Sequence, residues 1–590
     1  MSQPQQPQID PKNMILAIVL SMLIVFGWQY YYAGPAAEKA KQQEITQAAT
    51  AQLPSTTAAS TIEDVATVLA KTKRVKIQTP ELTGSINLTG AQIDDLRLND
   101  YRETIDPKSD IVTLLKPSGT ANAYFVEQGF VGPQGSTVKL PDAKTEWQAP
   151  ADAVLTPEKP LTLTWDNGAG LKFERQISIS DKYLFDVKQT VANTTAAPVT
   201  VIPFARVQRQ DTPNISGFWV FYEGPLGVQK GLEEHKYSAL KKDPDVPVTV
   251  PSTGGWLGFT DKYWATMVIP DQKTKVQNTY RFVKIPGRDA YQTDYLSDDA
   301  ISVPAGGSAV YEEHVYAGAK IVSLINSIYA KFGFTQFDLM IDWGWFWFIA
   351  QPMYKLLSFV HSIVGNFGVA ILLVTVLVKA AVFPLANKSY ASMSKMKKLK
   401  PEMDAIKARN PDDKAKQQQE TMELYKREKV NPMAGCLPMF VQIPVFFSLY
   451  KVILTTIELR HAPFFGWIQD LSAPDPTNVF TAFGLIPWTP PHLLMIGFWP
   501  LLMGITMWVQ MRLNPAPPDP VQAQMFNWMP VIFTFSLGTF PAGLVIYWAW
   551  SNFLSIVQQS YIMSKHGTDF NLFGNIRDSI PFLKKKPTSA

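Results

Sequence analysis

The chain has 590 residues, of which 46% are apolar and 18% charged, with a formal net charge of only +4. That length exceeds a single domain, and so small a net charge carries meaning only once the charges are placed along the chain. A lone cysteine, Cys436, excludes a disulfide framework or a cysteine-type metal site. The six histidines form no HExxH or other paired spacing, and neither a GxxxxGK(S/T) phosphate loop nor a GxSxG elbow occurs. These absences argue against an ATP-driven pump or a hydrolase, and no cofactor is expected.

A polar front, up to about Ile321, contrasts with an apolar back from Trp343 to Met563. The first apolar run, Asn13–Tyr32, is about one bilayer thickness long. It ends in an aromatic belt of Trp28, Tyr30, Tyr31 and Tyr32 and is preceded by a weak basic region with only Lys12, so it reads as an uncleaved anchor rather than a signal peptide. Residues 33–61 are rich in Ala, Gln, Thr and Ser without an apolar period, as in a flexible linker.

From Lys73 to about Val315 the apolar period becomes two. Leu82, Gly84, Ile86 and Leu88 alternate with Thr83, Ser85 and Asn87. Leu161–Trp165 is followed by the hairpin pair Asn167-Gly168, then by Leu171–Ile179 and Tyr183–Val191. Many short strands joined by such turns predict a large antiparallel β-sandwich over residues 62–320. Trp165, Trp219, Trp256 and Trp264 suit core and sheet-face packing, with a ligand cleft as the alternative.

Residues 321–363 lead towards the membrane. Ala317–Phe334 has helical spacing, and Trp343–Ile363, with Trp343, Trp345, Trp347, Lys355 and His361, suits a helix lying in the membrane interface, a spanning one being the alternative. Residues 364–563 predict five further spans, six in all with the anchor. They are Gly368–Leu385, Leu437–Ile457, Leu493–Arg512, Asn527–Thr539 and Gly543–Met563, the last two joined by the turn Phe540-Pro541-Ala542-Gly543. The run Val479–Trp488 is also apolar, which blurs the start of the span at Leu493.

One lysine, Lys379, interrupts Gly368–Leu385. A charge inside a span costs roughly 2.5–3.5 kcal/mol, so it calls for a wet cavity, a partner or a role, unless its ammonium snorkels to the nearby interface. Thr375 precedes it by four residues and shares its helix face, while Gln442 and Asn552 are polar groups in other spans that a common watery groove would satisfy. Lys451, near the end of its own span, reads as a snorkelling side chain.

Charge bias gives the orientation. Residues 387–430 carry twelve Lys and Arg, including Lys395, Lys397, Lys398, Lys400 and Arg427, and the basic tail 564–590 adds Lys584, Lys585 and Lys586. The loop Glu458–Pro491 has only Arg460. The positive-inside rule places 387–430 and both termini in the cytoplasm and the β domain outside. Helical spacing on both sides of Asn410-Pro411-Asp412-Asp413 predicts a cytoplasmic helical hairpin, whose charges suit either lipid headgroups or an anionic partner such as ribosomal RNA.

Three motifs carry a resemblance. Asn431-Pro432-Met433-Ala434-Gly435-Cys436-Leu437-Pro438, Glu458-Leu459-Arg460-His461-Ala462-Pro463-Phe464, and Phe540-Pro541-Ala542-Gly543-Leu544-Val545-Ile546-Tyr547-Trp548 with Ser551-Asn552 and Gln558-Gln559 resemble the YidC/Oxa1/Alb3 membrane protein insertases. The anchor and large β domain resemble the Gram-negative arrangement in particular. The resemblance implies a periplasmic supersandwich-like β domain, an inner-membrane location and a five-helix core around a positively charged hydrophilic groove open to cytoplasm and lipid. It also implies that the protein is not an enzyme, and that its partners are nascent membrane proteins, the Sec translocon, the ribosome and membrane lipids. It assigns the groove to Lys379, Thr375, Gln442, Trp548 and Asn552. Relatives commonly have arginine at the position of Lys379 and tyrosine at that of Trp548, so lysine keeps the charge without the bidentate fork. A transporter with Lys379 as its site, or an envelope receptor using the β domain, are the rival readings; no internal repeat supports the first.

Overall fold

The computed structural model describes residues 62–215, 221–285, 287–411, 413–430, 437–491, 494–513 and 520–565. The expected anchor 13–32, the linker, Trp219, residues 431–436 and Lys584, Lys585 and Lys586 lie outside these.

Strands between 74 and 319 form an eleven-stranded and an eight-stranded sheet, almost wholly antiparallel. The period of two is visible strand by strand. β1 (Leu161–Asp166) pairs with β2 (Leu171–Asp181), which buries Leu171, Phe173, Arg175, Ile177 and Ile179 and exposes most residues between them. The Asn167-Gly168 turn closes as its composition predicts. Asn167 Oδ1 accepts from the amides of Ala169 (2.7 Å) and Leu171 (3.0 Å), and Gly168 sits at φ +71°. β3 (Leu184–Asn193) continues the smaller sheet to β5 (Ser308–Ala319), while β4 (Trp264–Ile269) pairs with the far edge of β5.

The sandwich core contains a polar chain. Arg175 donates to Gln189 Oε1 (2.9 Å) and to the carbonyls of Ala91 (3.1 Å) and Gln128 (2.6 Å). Gln189 donates to Glu313 Oε1 at 2.6 Å, and the Tyr295 hydroxyl also bonds Glu313. Burial pushes the Glu313 carboxyl up to about 7 and the Arg175 guanidinium down to about 10, because desolvation outweighs the attraction of their neighbours.

One expectation for this region needs correction. The helix expected from Ala317 begins only at Val322, because Ala317, Gly318 and Ala319 pair with β4 and complete β5; sheet pairing overrides the local apolar spacing. Trp165, Trp256 and Trp264 pack in and against the core, as expected of them. Trp256 is fully buried, and Trp264 meets Tyr101 edge-on at 5.1 Å.

The helical part follows. α1 (Val322–Phe332) ends at Gly333, φ +67°, and α2 (Trp347–Val364) ends at Gly365, φ +70°. The expected span Gly368–Leu385 is broken: α3 (Phe367–Ala381) stops and α4 (Phe383–Lys398) leaves at 65°. Pro384 explains the break, since it cannot continue the ladder of α3 but fits the first turn of a new helix. α5 (Lys400–Arg409) and α6 (Lys414–Arg427) form a hairpin. Then come α7 (Leu437–Thr455), α8 (Phe498–Leu513), α9 (Pro520–Leu537) and α10 (Ala542–Lys565). α8 thus starts five residues later than expected, and α9 is displaced towards Pro520. Among the described residues, no single helix is both long and apolar enough to cross a membrane; the bent pair α3 and α4 meets that test only when its two helices are taken together. The expected core spans are therefore not matched one for one by such helices.

The two parts of the chain are clamped together. Lys451 does not snorkel: it is 5% exposed, and its ammonium donates to Asp342 Oδ2 at 2.6 Å. Asp342 also accepts from the amides of Tyr222 (3.2 Å) and Gly344 (3.0 Å), so a charge buried on α7 finds its counter-ion just before α2. Nearby, Arg460 donates to the Arg102 carbonyl at 2.6 Å and lies 5.4 Å from the Trp264 ring, and the Tyr354 hydroxyl donates to Glu458 at 2.8 Å.

Candidate functional site

α3 is fixed at its start by Asn366, whose Oδ1 accepts from the Val369 amide (3.0 Å) and whose amide donates to the Phe464 carbonyl (3.0 Å). Gly368 lies so close to the Phe464 ring that a Cβ there would collide with it. This close approach sets α3 against the connection after α7, while Trp550 of α10 donates to the Leu372 carbonyl at 3.1 Å. The last turn of α3 then carries Lys379 between α7 and α10.

The Lys379 ammonium donates to Ser555 Oγ at 2.8 Å and to Gln442 Oε1 at 3.2 Å. Both acceptors are neutral, and no described Asp or Glu forms an ion pair with it. Gln442 passes the contact on, donating to the Tyr547 hydroxyl at 2.6 Å, and Ser555 donates to the Ser551 carbonyl at 2.9 Å. Gln558 reaches the Lys379 carbonyl at 3.4 Å. A cation is thus held by one helix and solvated by two others, an arrangement that leaves it able to attract an incoming anionic group.

Of the expected groove residues, Lys379 and Gln442 are bonded directly. Thr375 lies one turn before Lys379 but is buried, and its hydroxyl is satisfied within α3 by the Ile371 carbonyl at 2.6 Å. Asn552 donates to Thr506 of α8 at 3.4 Å and is not bonded to Lys379. Trp548 is wedged between Phe446 (4.6 Å) and Phe533 (5.6 Å), packing α7 against α9. Ser555 and Tyr547 were not singled out from sequence. The available signal was Ser551, Ser555 and Gln558 at helical spacing along α10, whose first two turns are apolar.

The expected docking cations divide as well. Lys395, Lys397 and Lys398 form the last turn of α4, and Lys400 opens α5. Arg427 is paired with Glu402 (2.6 Å) and Glu428 (3.1 Å), closing the open end of the hairpin.

Around this core the surface is apolar. Leu373, Val376 and Leu377 on α3, Phe440 and Ile443 on α7, and Trp528, Val531 and Ile532 on α9 are exposed. Large apolar side chains exposed on several helices are expected of protein bathed in lipid rather than water.

Comparison with known proteins matches residues 74–356 to the YidC periplasmic domain and residues 359–569 to the 60Kd inner membrane protein family. A membrane protein insertase YidC of Bradyrhizobium diazoefficiens is 50% identical, covering 96% of this chain and 98% of its own. The corresponding protein of Beijerinckia indica is 49% identical over 98% of this chain and 100% of its own. Among solved structures, an active YidC insertase with its first transmembrane domain resolved aligns with 82% of this chain and 92% of its own, at 17% identity and a TM-score of 0.34.

Proposed function

The chain belongs to the YidC family of membrane protein insertases, and on that premise we propose that it lodges the polar segments of its substrates against Lys379. It is a bacterial inner-membrane insertase with a periplasmic β domain, and membrane proteins are its substrates.

In this reading the anchor and five core spans give six crossings, with both termini in the cytoplasm. The groove opens to the cytoplasm and to lipid and is closed outwards. A polar, commonly acidic, substrate segment enters and is held by Lys379 with Gln442 and Ser555, while the adjoining apolar segment partitions into lipid along the exposed aromatics. Burial of that segment at roughly 25 cal/mol per Å² drives the process. The membrane potential adds about 2.3 kcal/mol per charge per 100 mV for negative charge moving outwards. The Sec translocon cooperates with some substrates, and the ribosome docks on the basic hairpin and tail.

The observation that carries this reading is the Lys379 ammonium between two neutral acceptors of other helices, without a carboxylate partner among the described residues. The experiment is depletion of the protein in living cells, then complementation with Lys379→Glu and Lys379→Arg. Lys379→Arg is expected to restore insertion of small single-span substrates and Lys379→Glu to fail. Normal insertion by Lys379→Glu would refute the charged groove.

A further inference from the structure

The apolar run 479–488 plays no part in the groove. It lies in the connection from α7 to α8, on the side that carries the β domain, because Arg460 of the same connection bonds the Arg102 and Glu103 carbonyls. From Pro476 to Phe498 the sequence has no Asp, Glu, Lys or Arg. The segment folds as a short turn, Val479–Gly484, with Ala482 at φ +47° and Phe483 at φ +59°. It turns Phe480, Phe483, Leu485, Ile486 and Trp488 outwards, with Leu485 86% exposed.

Its backbone does the opposite and closes on itself. Asn478 Oδ1 accepts from the Phe480 amide (2.8 Å), the Asn478 carbonyl from Phe483 (3.0 Å), Thr481 Oγ1 from Gly484 (3.1 Å) and the Thr481 carbonyl from Ile486 (3.0 Å). Pro487, Pro490 and Pro491 have no amide hydrogen to satisfy. Apolar side chains outwards and amides bonded inwards suit irregular backbone at the headgroup–acyl boundary, above the hydrocarbon centre from which such backbone is excluded. The root is fixed to α8: Val479 donates to the Ile496 carbonyl (2.9 Å), and the Phe498 and Trp499 amides donate to Thr477 Oγ1 and Asp475 Oδ2, both at 2.9 Å. Leu501 and Ile505 of α8 are exposed as well.

We propose that residues 479–488 are a lipid anchor, inserted into the outer leaflet beside the external end of α8. The occupant is the acyl-chain boundary of the bilayer rather than a protein. The loop has no charge with which to orient a protein partner, its root is bonded to the start of α8, whose Leu501 and Ile505 are also exposed, and Trp488 suits the interface. Binding rests on apolar burial, so anionic headgroups are not required. The proposal depends on the chain being a membrane protein and is independent of the groove.

The test uses the full chain with Cys436→Ser and Leu485→Cys, the new cysteine nitroxide-labelled, reconstituted in vesicles of phosphatidylcholine alone and with phosphatidylglycerol added. Expected is an electron-spin signal accessible to oxygen and shielded from a water-soluble nickel chelate in both compositions, whereas a label at exposed Val246→Cys in the β domain reports water. Nickel access at 485, shielding only with phosphatidylglycerol, or spin–spin broadening from a second copy would each overturn the proposal. In a second protein, with Leu485→Asp and Ile486→Asp and the label at Phe483→Cys, oxygen access is expected to fall several-fold while β-domain melting is unchanged. Undiminished oxygen access there would also overturn it. None of these readouts measures insertion, so their failure leaves the groove reading standing.

Discussion

Lys451, on a core helix, is bonded at 2.6 Å to Asp342, at the exit of the β domain. This ion pair joins the Arg460 contacts in tying the two halves of the chain, and the space around it is tight: a Cβ on Gly344, which sits at φ +69°, would stand 3.1 Å from Lys451 Cε.

Without Lys451, the Asp342 carboxylate, 29% exposed, loses its cation and keeps only the amides of Tyr222 and Gly344. Lys451→Met is therefore expected to destabilise the junction by about 1–3 kcal/mol. Adding Asp342→Asn, which removes the charge but keeps an amide oxygen for Tyr222 and Gly344, is expected to recover part of that loss. Thermal unfolding of the purified protein in detergent reads both, and equal melting of the single and double variants would refute the coupling.

The contacts of Lys379 predict where a substrate passes. Photo-crosslinkers at 442 and 555 are expected to capture ribosome-bound nascent chains more strongly than one at 552, because Gln442 and Ser555 bond Lys379 whereas Asn552 turns to Thr506. Mass spectrometry of the adducts measures the ratio.

Gln442→Leu removes an acceptor from Lys379 and a donor from Tyr547 at once. With two buried polar groups deprived of a partner, a loss of about 1–3 kcal/mol is expected, and Ser555→Ala should cost less because the ammonium keeps Gln442. Chemical denaturation in detergent compares the two.

Glu313 gives the β domain a pH dependence. Its carboxyl is raised by burial from 4.5 to about 7, so the folded state holds a proton that the unfolded chain releases. This contribution is fully present below the unfolded value of 4.5 and is lost as pH rises to about 7. The loss is about 3 kcal/mol, at 1.36 kcal/mol per unit. Glu313→Gln is expected to flatten the melting temperature between those limits, and an unchanged slope would refute the assignment.

On the hairpin, Arg427 is already paired with Glu402 and Glu428. Arg427→Ala is therefore expected to weaken ribosome binding less than Lys395→Ala, with the weaker salt dependence of the two. Co-sedimentation across a salt series checks this.

The sequence by itself determined the kinds of structure and much of the chemistry. A period of two with Asn167-Gly168 is enough to specify paired strands, because side-chain alternation and turn preference are local properties. The lysine in an apolar run, and its family motifs, were equally legible. Three things were decided only by tertiary structure. Ala317–Ala319 became strand because β4 offers a pairing edge. The span holding Lys379 bends at Pro384, and by how much depends on what α4 packs against. Spacing puts Thr375 on the face of Lys379, and the family resemblance assigns Trp548 and Asn552 to the same groove, whereas Gln442 and Ser555 are the side chains bonded to Lys379. Helical spacing says which residues share a face, but the rotation of one helix against another is set by packing between them, and that information is spread over the whole chain.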